Sequence, residues 1–331
     1  MKIAIVKLSA LGDIVHAMIV LEMIKKYNPK IQIDWIVEER FKQVLEYNPH
    51  INTVYSVNLK AIKKDKLTFF SEFKKIKTYA NNEYDLVVDL QGLLKSAIIS
   101  RILGKNVGFD KNSIREKIAS SFYSKSFFVA YSENVIKRNI DLIAFALDIE
   151  IEKEYLLNKK PFLFFAEKDK KKTISYIDKK QKNIVSILGS SWPSKVYPKE
   201  KFVEIIQALE GNHLLVWGSD EEKEYAEYVA RHSDAKILPM LNINELKAFL
   251  SMVDLVIGAD SGPTHFAWAL NRPSITIFGP TPSKRNVWET RINRVVDTGK
   301  DIDPFNLDKS DFSIKNIDSA KVIKLAKALL I

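Results

Sequence analysis

Short apolar runs recur along the chain, each closed by a polar turn and followed by a stretch with apolar residues at helical spacing. Residues 2–8 read as a strand, 14–27 as a helix, 31–37 as a strand, 40–47 as a helix and 53–57 as a strand. Alternation of this kind predicts a parallel sheet with helices on both faces. Leu86-Val87-Val88-Asp89-Leu90 is a further buried strand, and after Gln91-Gly92 a helix runs from Leu93 to Ile102. This junction repeats the first one, again with polar groups at the strand's end. Residues 150–182 break the pattern with Pro161, the apolar Phe162 to Phe165 and the charged Glu167 to Lys182. The pattern then restarts: a strand at Ile184 to Leu188, the turn Gly189-Ser190-Ser191, a helix from about Lys199, and strands at 213–217, 255–258 and 274–278. Each half therefore reads as a doubly wound α/β unit. The expected domains are 1–160 and 161–318, with a last helix around 319–330 whose apolar periodicity requires a docking surface.

Composition agrees with two units, because 331 residues of which 46% are apolar can build two ordinary cores. No apolar stretch approaches the roughly 18–20 residues that span a bilayer, and the N-terminus enters a strand rather than a signal-peptide pattern. A soluble, intracellular protein is the expectation. The absence of cysteine excludes a thiolate nucleophile and a zinc–thiolate site, and the 5 histidines show no metal-ligand spacing. Charge is unevenly spread: residues 1–140 hold 23 Lys and Arg against 14 Asp and Glu, most of the chain's net +10. Within them Lys60, Lys63, Lys64, Lys66, Lys74, Lys75 and Lys77 crowd a segment whose acids are Asp65 and Glu72. Such a field suits nucleic acid, an anionic membrane surface or a polyanionic substrate; a solvated helix face would also produce it.

Candidate chemistry lies at the strand ends. In Lys7-Leu8-Ser9-Ala10-Leu11-Gly12-Asp13 the turn into the first helix offers a carboxylate where a phosphate site would offer glycines. Asp13 is stabilised by the electropositive helix end and is placed either to accept a proton or simply to cap the helix. In the second half, Gly258-Ala259-Asp260-Ser261-Gly262-Pro263-Thr264-His265 is a turn that can donate. Gly262 admits close backbone approach, Ser261 and Thr264 carry hydroxyls, Pro263 suits a first helical turn, and His265 lies one turn inside. Ser190, Ser191 and Lys195 could hold phosphates, Glu221 or Glu222 could accept from ribose hydroxyls, and Pro280-Thr281-Pro282 ends another strand facing the same crevice. Asp301-Ile302-Asp303 has metal-like spacing but sits in a polar loop and reads as a solvated turn. No Walker loop and no Gly-x-Gly-x-x-Gly occurs, which argues against a P-loop kinase and an ordinary dinucleotide dehydrogenase.

These segments, together with Ile33 to Glu39, Asp89 to Ser96, Trp217-Gly218, Arg272-Pro273 and Gly279-Pro280-Thr281, resemble the bacterial lipopolysaccharide heptosyltransferases of glycosyltransferase family 9, specifically the type I branch. The resemblance implies a GT-B fold, with two Rossmann-like doubly wound domains facing a central crevice. It implies transfer of L-glycero-D-manno-heptose from ADP-heptose to the first Kdo of Kdo-lipid A, with inversion and with neither metal nor cofactor. Asp13 takes the family's general-base position. Ser190, Ser191, Lys195, Glu221, Leu241, Asp260, Ser261, Gly262 and His265 take the donor-site positions, Leu241 packing on the adenine. Lys60, Lys63, Lys64 and Arg115 match the basic surface that holds the acceptor's carboxylates and phosphates. Serines replace the family's common threonines at 190, 191 and 261, and Glu221 aligns with the ribose ligand better than Glu222. Trp192-Pro193-Ser194 replaces a more polar stretch and leaves the placement of Lys195 open. The family setting implies the cytoplasmic face of a Gram-negative inner membrane, an anionic surface as partner and no nucleic acid, and a terminal helix that crosses back onto the first domain. The rivals are a type II enzyme acting on an existing heptose, a basic nucleic-acid-binding protein, and a sugar-nucleotide binder without activity.

Overall fold

A computed structural model describes residues 1–62, 66–150 and 155–331. The chain forms two compact units, Met1–Asn158 and Lys159–Ile331. The first contains β1 (Lys2–Val6), α1 (Leu11–Tyr27), β2 (Gln32–Glu38), α2 (Lys42–Leu45), β3 (Thr53–Val57), α3 (Leu59–Ile62), α4 (Lys66–Ala80), β4 (Leu86–Asp89), α5 (Leu94–Leu103), β5 (Asn106–Phe109), β6 (Lys125–Phe127) and α6 (Val135–Leu147). Its strands are all parallel in the order β3-β2-β1-β4-β5-β6. The strand order reverses between β1 and β4, where Val6 pairs with Asp89. Helix α1 is buried from Ile14 to Leu21, including His16, as expected of a helix that is apolar all round. On the sheet's other face Ala4, Val6, Ile36 and Val87 pack with Ile76, Ile99 and Leu103.

The second unit contains β7 (Asn183–Ile187), α7 (Lys199–Gln207), β8 (Asn212–Val216), α8 (Asp220–Arg231), β9 (Lys236–Ile237), α9 (Ile243–Leu250), β10 (Leu255–Ala259), α10 (Gly262–Ala269), β11 (Ser274–Phe278), α11 (Ser283–Asn286), β12 (Asn293–Asp297) and α12 (Ser319–Leu329). Its parallel order, β12-β11-β10-β7-β8-β9, is the first sheet's order read from the opposite edge. The strand order again reverses beside the unit's first strand, between β7 and β10.

The terminal helix packs on the second unit, where Val322 and Ala326 enter the core with Phe202, Ile205 and Ile206. The chain is led there by Ile314, packed against Gly279, and by the Tyr197 hydroxyl, which donates to the Ile317 carbonyl at 3.0 Å. Among the described residues no helix is long and apolar enough to cross a membrane.

Candidate active site

In open parallel sheets, ligands bind beyond the carboxyl ends of the strands, where the strand order reverses. Each unit gathers its chemistry there.

In the first unit, β1 runs into the turn that carries Asp13. The acid stands in the first turn of α1, and its Oδ2 accepts the Ala10 N–H at 3.1 Å. Asp13 thus caps the helix, and its half-exposed carboxylate keeps an oxygen available. The preceding Leu8 and Ser9 N–H groups both donate to Gln91 Oε1 at 3.0 Å. Gln91 is itself held by Asp89, whose Oδ1 accepts the N–H groups of Gln91 at 2.8 Å and Gly92 at 3.2 Å. The other oxygen of Asp89 accepts the Tyr123 hydroxyl at 2.8 Å. Asp89 is fully buried, and burial pushes its carboxyl above the usual range against the pull of these donors. Burial and the neighbouring Asp89 push the Tyr123 hydroxyl up as well, so it stays protonated and donating.

Glycine is required twice in this arrangement. Gly92 has φ +69°, and a Cβ there would stand 2.6 Å from Ile114 Cγ2; at Gly108 a Cβ would strike the Tyr123 ring. Ile114 thereby brings the exposed Arg115 next in sequence to a residue seated on this turn. Glu116 accepts the Leu94 N–H at 2.6 Å, at the start of α5. Of the other expected acceptor cations, Lys63 and Lys64 lie outside the described residues, and Lys60 falls within α3.

In the second unit Asp260 is the hub. Its Oδ2 lies 2.8 Å from Lys195 Nζ and accepts the Thr281 hydroxyl at 2.8 Å, while Oδ1 lies 3.0 Å from His265 Nε2. Burial opposes ionisation here, but the Lys195 ammonium and His265 hold the carboxyl well below the usual carboxylate range. Lys195 reaches Asp260 from the short turn Pro193–Lys195, which follows Trp192. Its ammonium also lies 5.4 Å from the centre of the Trp192 ring. Ser190 Oγ donates to the Asp260 carbonyl at 3.1 Å, joining the β7 and β10 loops, whereas Ser191 is exposed. Thr264 Oγ1 donates to the Ala259 carbonyl at 2.8 Å and lies 3.0 Å from Ser261 Oγ. Gly262 opens α10, whose N-cap Ser261 makes no side-chain capping bond to the N–H groups of the first turn. Leu241 is half-buried just before α9, whose N-cap is Asn242.

Two findings revise the expected site. Thr281, expected as part of a strand-end loop, is a direct partner of Asp260 through its hydroxyl. Glu221 is exposed and turned back on its own loop, where the Ser219 hydroxyl and its own N–H lower its carboxyl. Its neighbour Glu222 folds over Gly189 and accepts the Gly218 N–H at 2.7 Å, with burial pushing its carboxyl up. The phase of α8, set by the Ser219 cap, turns the second acid of the pair and not the first toward the strand ends. Among the described residues no group of three or more His, Cys, Asp or Glu side chains is disposed to hold a metal ion.

Comparison with known proteins adds the family context. Residues 73–299 match the model of glycosyltransferase family 9 (heptosyltransferase). The chain is 42% identical to lipopolysaccharide heptosyltransferase 1 of Campylobacter coli, with 99% of each chain covered. It is 30% identical to the enzyme of the same name from Pseudomonas aeruginosa, over 85% of this chain and 79% of that one. Among solved structures, E. coli heptosyltransferase WaaC with ADP-2-deoxy-2-fluoro heptose superposes with a TM-score of 0.80 at 23% identity, covering 99% of both chains.

Proposed function

Because the chain belongs to glycosyltransferase family 9, we propose that it transfers L-glycero-D-manno-heptose from ADP-heptose to the first Kdo of Kdo-lipid A, the type I step of lipopolysaccharide core assembly. The identity to lipopolysaccharide heptosyltransferase 1 along almost the whole chain supports this choice of step. The observation that carries the mechanism is the Asp13 carboxylate, one oxygen tied to the turn and the other available at the end of β1. In the reaction, that free oxygen takes the proton of the acceptor hydroxyl. The hydroxyl oxygen bonds to the anomeric carbon of heptose, the carbon–oxygen bond to ADP breaks with inversion, and ADP leaves with the electron pair.

The leaving diphosphate gains negative charge, so its site needs cations and oriented donors rather than acids. Lys195, the exposed Ser191 hydroxyl and the N-terminus of α10 at Gly262 supply them, and the hydroxyls of Ser190 and Ser261 join when they turn from the Asp260 carbonyl and Thr264 to the ligand. Asp260 serves this site by fixing Lys195 and His265; a carboxylate has about four lone-pair positions, so an acceptor site remains for a sugar hydroxyl. Glu222 replaces Glu221 as the ribose acceptor, and Leu241 packs on the adenine. Arg115, with Lys60, Lys63 and Lys64, forms the acceptor's anion-binding surface. The positive excess of residues 1–140 draws the enzyme to the anionic cytoplasmic face of the inner membrane, where a lipid-linked acceptor resides.

The test is transfer from ADP-heptose to Kdo-lipid A, followed by ADP release and product mass. Asp13→Asn, which keeps size and loses basicity, is expected to lower kcat by about 10²–10⁴-fold while ADP affinity is retained. Undiminished transfer by this variant would remove Asp13 as the base. Product only on an acceptor that already carries heptose would reassign the chain to the type II step.

A further inference from the structure

We propose that Gln91 is a positioning residue for the general base, holding the turn that presents Asp13 through a relay that begins at Tyr123 and Asp89. The inference rests on the reading of Asp13 as the base and goes beyond it. Four successive backbone and side-chain links connect a buried point of the unit to the acid. Tyr123 donates to Asp89 at 2.8 Å; Asp89 accepts from the Gln91 and Gly92 backbone at 2.8 and 3.2 Å; Gln91 Oε1 accepts from Leu8 and Ser9 at 3.0 Å each; and Ala10, next in the chain, donates to Asp13 at 3.1 Å.

The chemistry explains why each residue type is present. Leu8 and Ser9 follow the last residue of β1 and have left the strand ladder on that side, so their N–H groups need an acceptor that spans both. A single amide oxygen with two lone pairs meets both at once. The Gln91 backbone cannot drift, because Asp89 pins its own N–H and that of the next residue. Asp89 cannot rotate away, because its second oxygen is held by Tyr123, whose ring lies over Gly108. The Lys7 ammonium adds a parallel tie, donating to the Leu90 carbonyl at 2.8 Å. The turn that carries the base is thus fastened to β4 rather than left as a free connection. A misplacement of the order of 1 Å in reacting groups costs about 10²-fold in rate, which is the scale at which such fastening affects catalysis.

Gln91→Leu, close in size but without the acceptor, is expected to lower kcat by about 10–10²-fold with the KM for ADP-heptose little changed. Gln91→Glu, which keeps an acceptor oxygen, is expected to recover most of that loss. Tyr123→Phe removes one hydroxyl and leaves the ring; a smaller loss in kcat is expected, and this variant serves if Gln91→Leu does not fold. Each is then combined with Asp13→Asn. Positioning predicts that the double variants are no slower than Asp13→Asn alone, because a turn that no longer presents a base has nothing left to lose. Additive losses in the double variants, or wild-type kcat in both folded single variants while Asp13→Asn is impaired, would overturn the relay and leave the base standing. Undiminished activity of Asp13→Asn itself would instead remove the base on which the relay depends.

Discussion

Asp89 closes β4 and Asp260 follows the last residue of β10, the strands at which each unit's order reverses, and their surroundings drive them in opposite directions. Asp89 meets neutral donors, so burial prevails and its carboxyl rises; Asp260 meets Lys195 and His265, so charge prevails and its carboxyl falls. A carboxyl whose folded value is depressed contributes stability above the unfolded value of about 4. That contribution is lost as pH falls toward the folded value. Asp260→Asn leaves the Lys195 ammonium buried without its counter-charge, and about 3–5 kcal/mol of stability should be lost at neutral pH. The variant should also lose less than the native protein between pH 7 and pH 3. Denaturant unfolding at the two pH values measures both effects, and parallel losses in the two proteins would contradict the assignment of charge at this site.

At the level of elements, α8 turns Glu222 over Gly189 and leaves Glu221 exposed, and on the proposed donor site this favours Glu222 as the ribose acceptor. Glu222→Gln is expected to weaken ADP binding by about tenfold or more, in keeping with roughly 1.5–3 kcal/mol for a hydrogen bond to a charged group. Glu221→Gln should be nearly silent. Calorimetric titration of both variants with ADP tests the pair, and the reverse order of effects would restore Glu221. Sequence could not make this distinction, because neighbouring helical positions differ by about 100° of rotation and the phase depends on where Ser219 starts the helix. The central strands were legible for the opposite reason: Ile3 to Val6, Leu86 to Val88 and Leu255 to Ile257 are continuous apolar runs buried on both faces. The strands β5, β6, β9 and β12 were not marked by the pattern. β5, β6 and β9 are short, all four lie toward the sheet margins, and β12 alternates too little, reading Asn293-Arg294-Val295-Val296-Asp297. Asp13 and the loop at Asp260 were visible as polar residues at strand ends. The grip of Gln91 on Leu8 was not, since those residues are 83 positions apart and meet only when β1 and β4 pair.

For the whole molecule, one strand order serves twice, and the units differ in what they hang at the same sheet end. The first carries an acid and the exposed Arg115, and the second carries a charge-paired acid and a helix terminus. The terminal helix belongs to the second of these bodies, since it completes that core with Val322 and Ala326. A chain ending at Asp318 should therefore show faster amide hydrogen exchange through residues 159–318, with protection in 1–158 unchanged. Exchange followed by mass spectrometry reads both regions separately, and loss of protection confined to the first unit would reverse the assignment of this helix.

Among the described residues the two sheets exchange no strand: β1 to β6 come from residues 2–127 and β7 to β12 from residues 183–297. During synthesis, the ribosome delivers every strand of the first sheet before the first strand of the second is made. At about 5–20 residues per second, the remaining chain takes roughly 10–40 s to follow. The newborn protein thus passes through a stage in which its strongly basic half can close around the Asp13 turn while the half that holds Asp260 has yet to emerge.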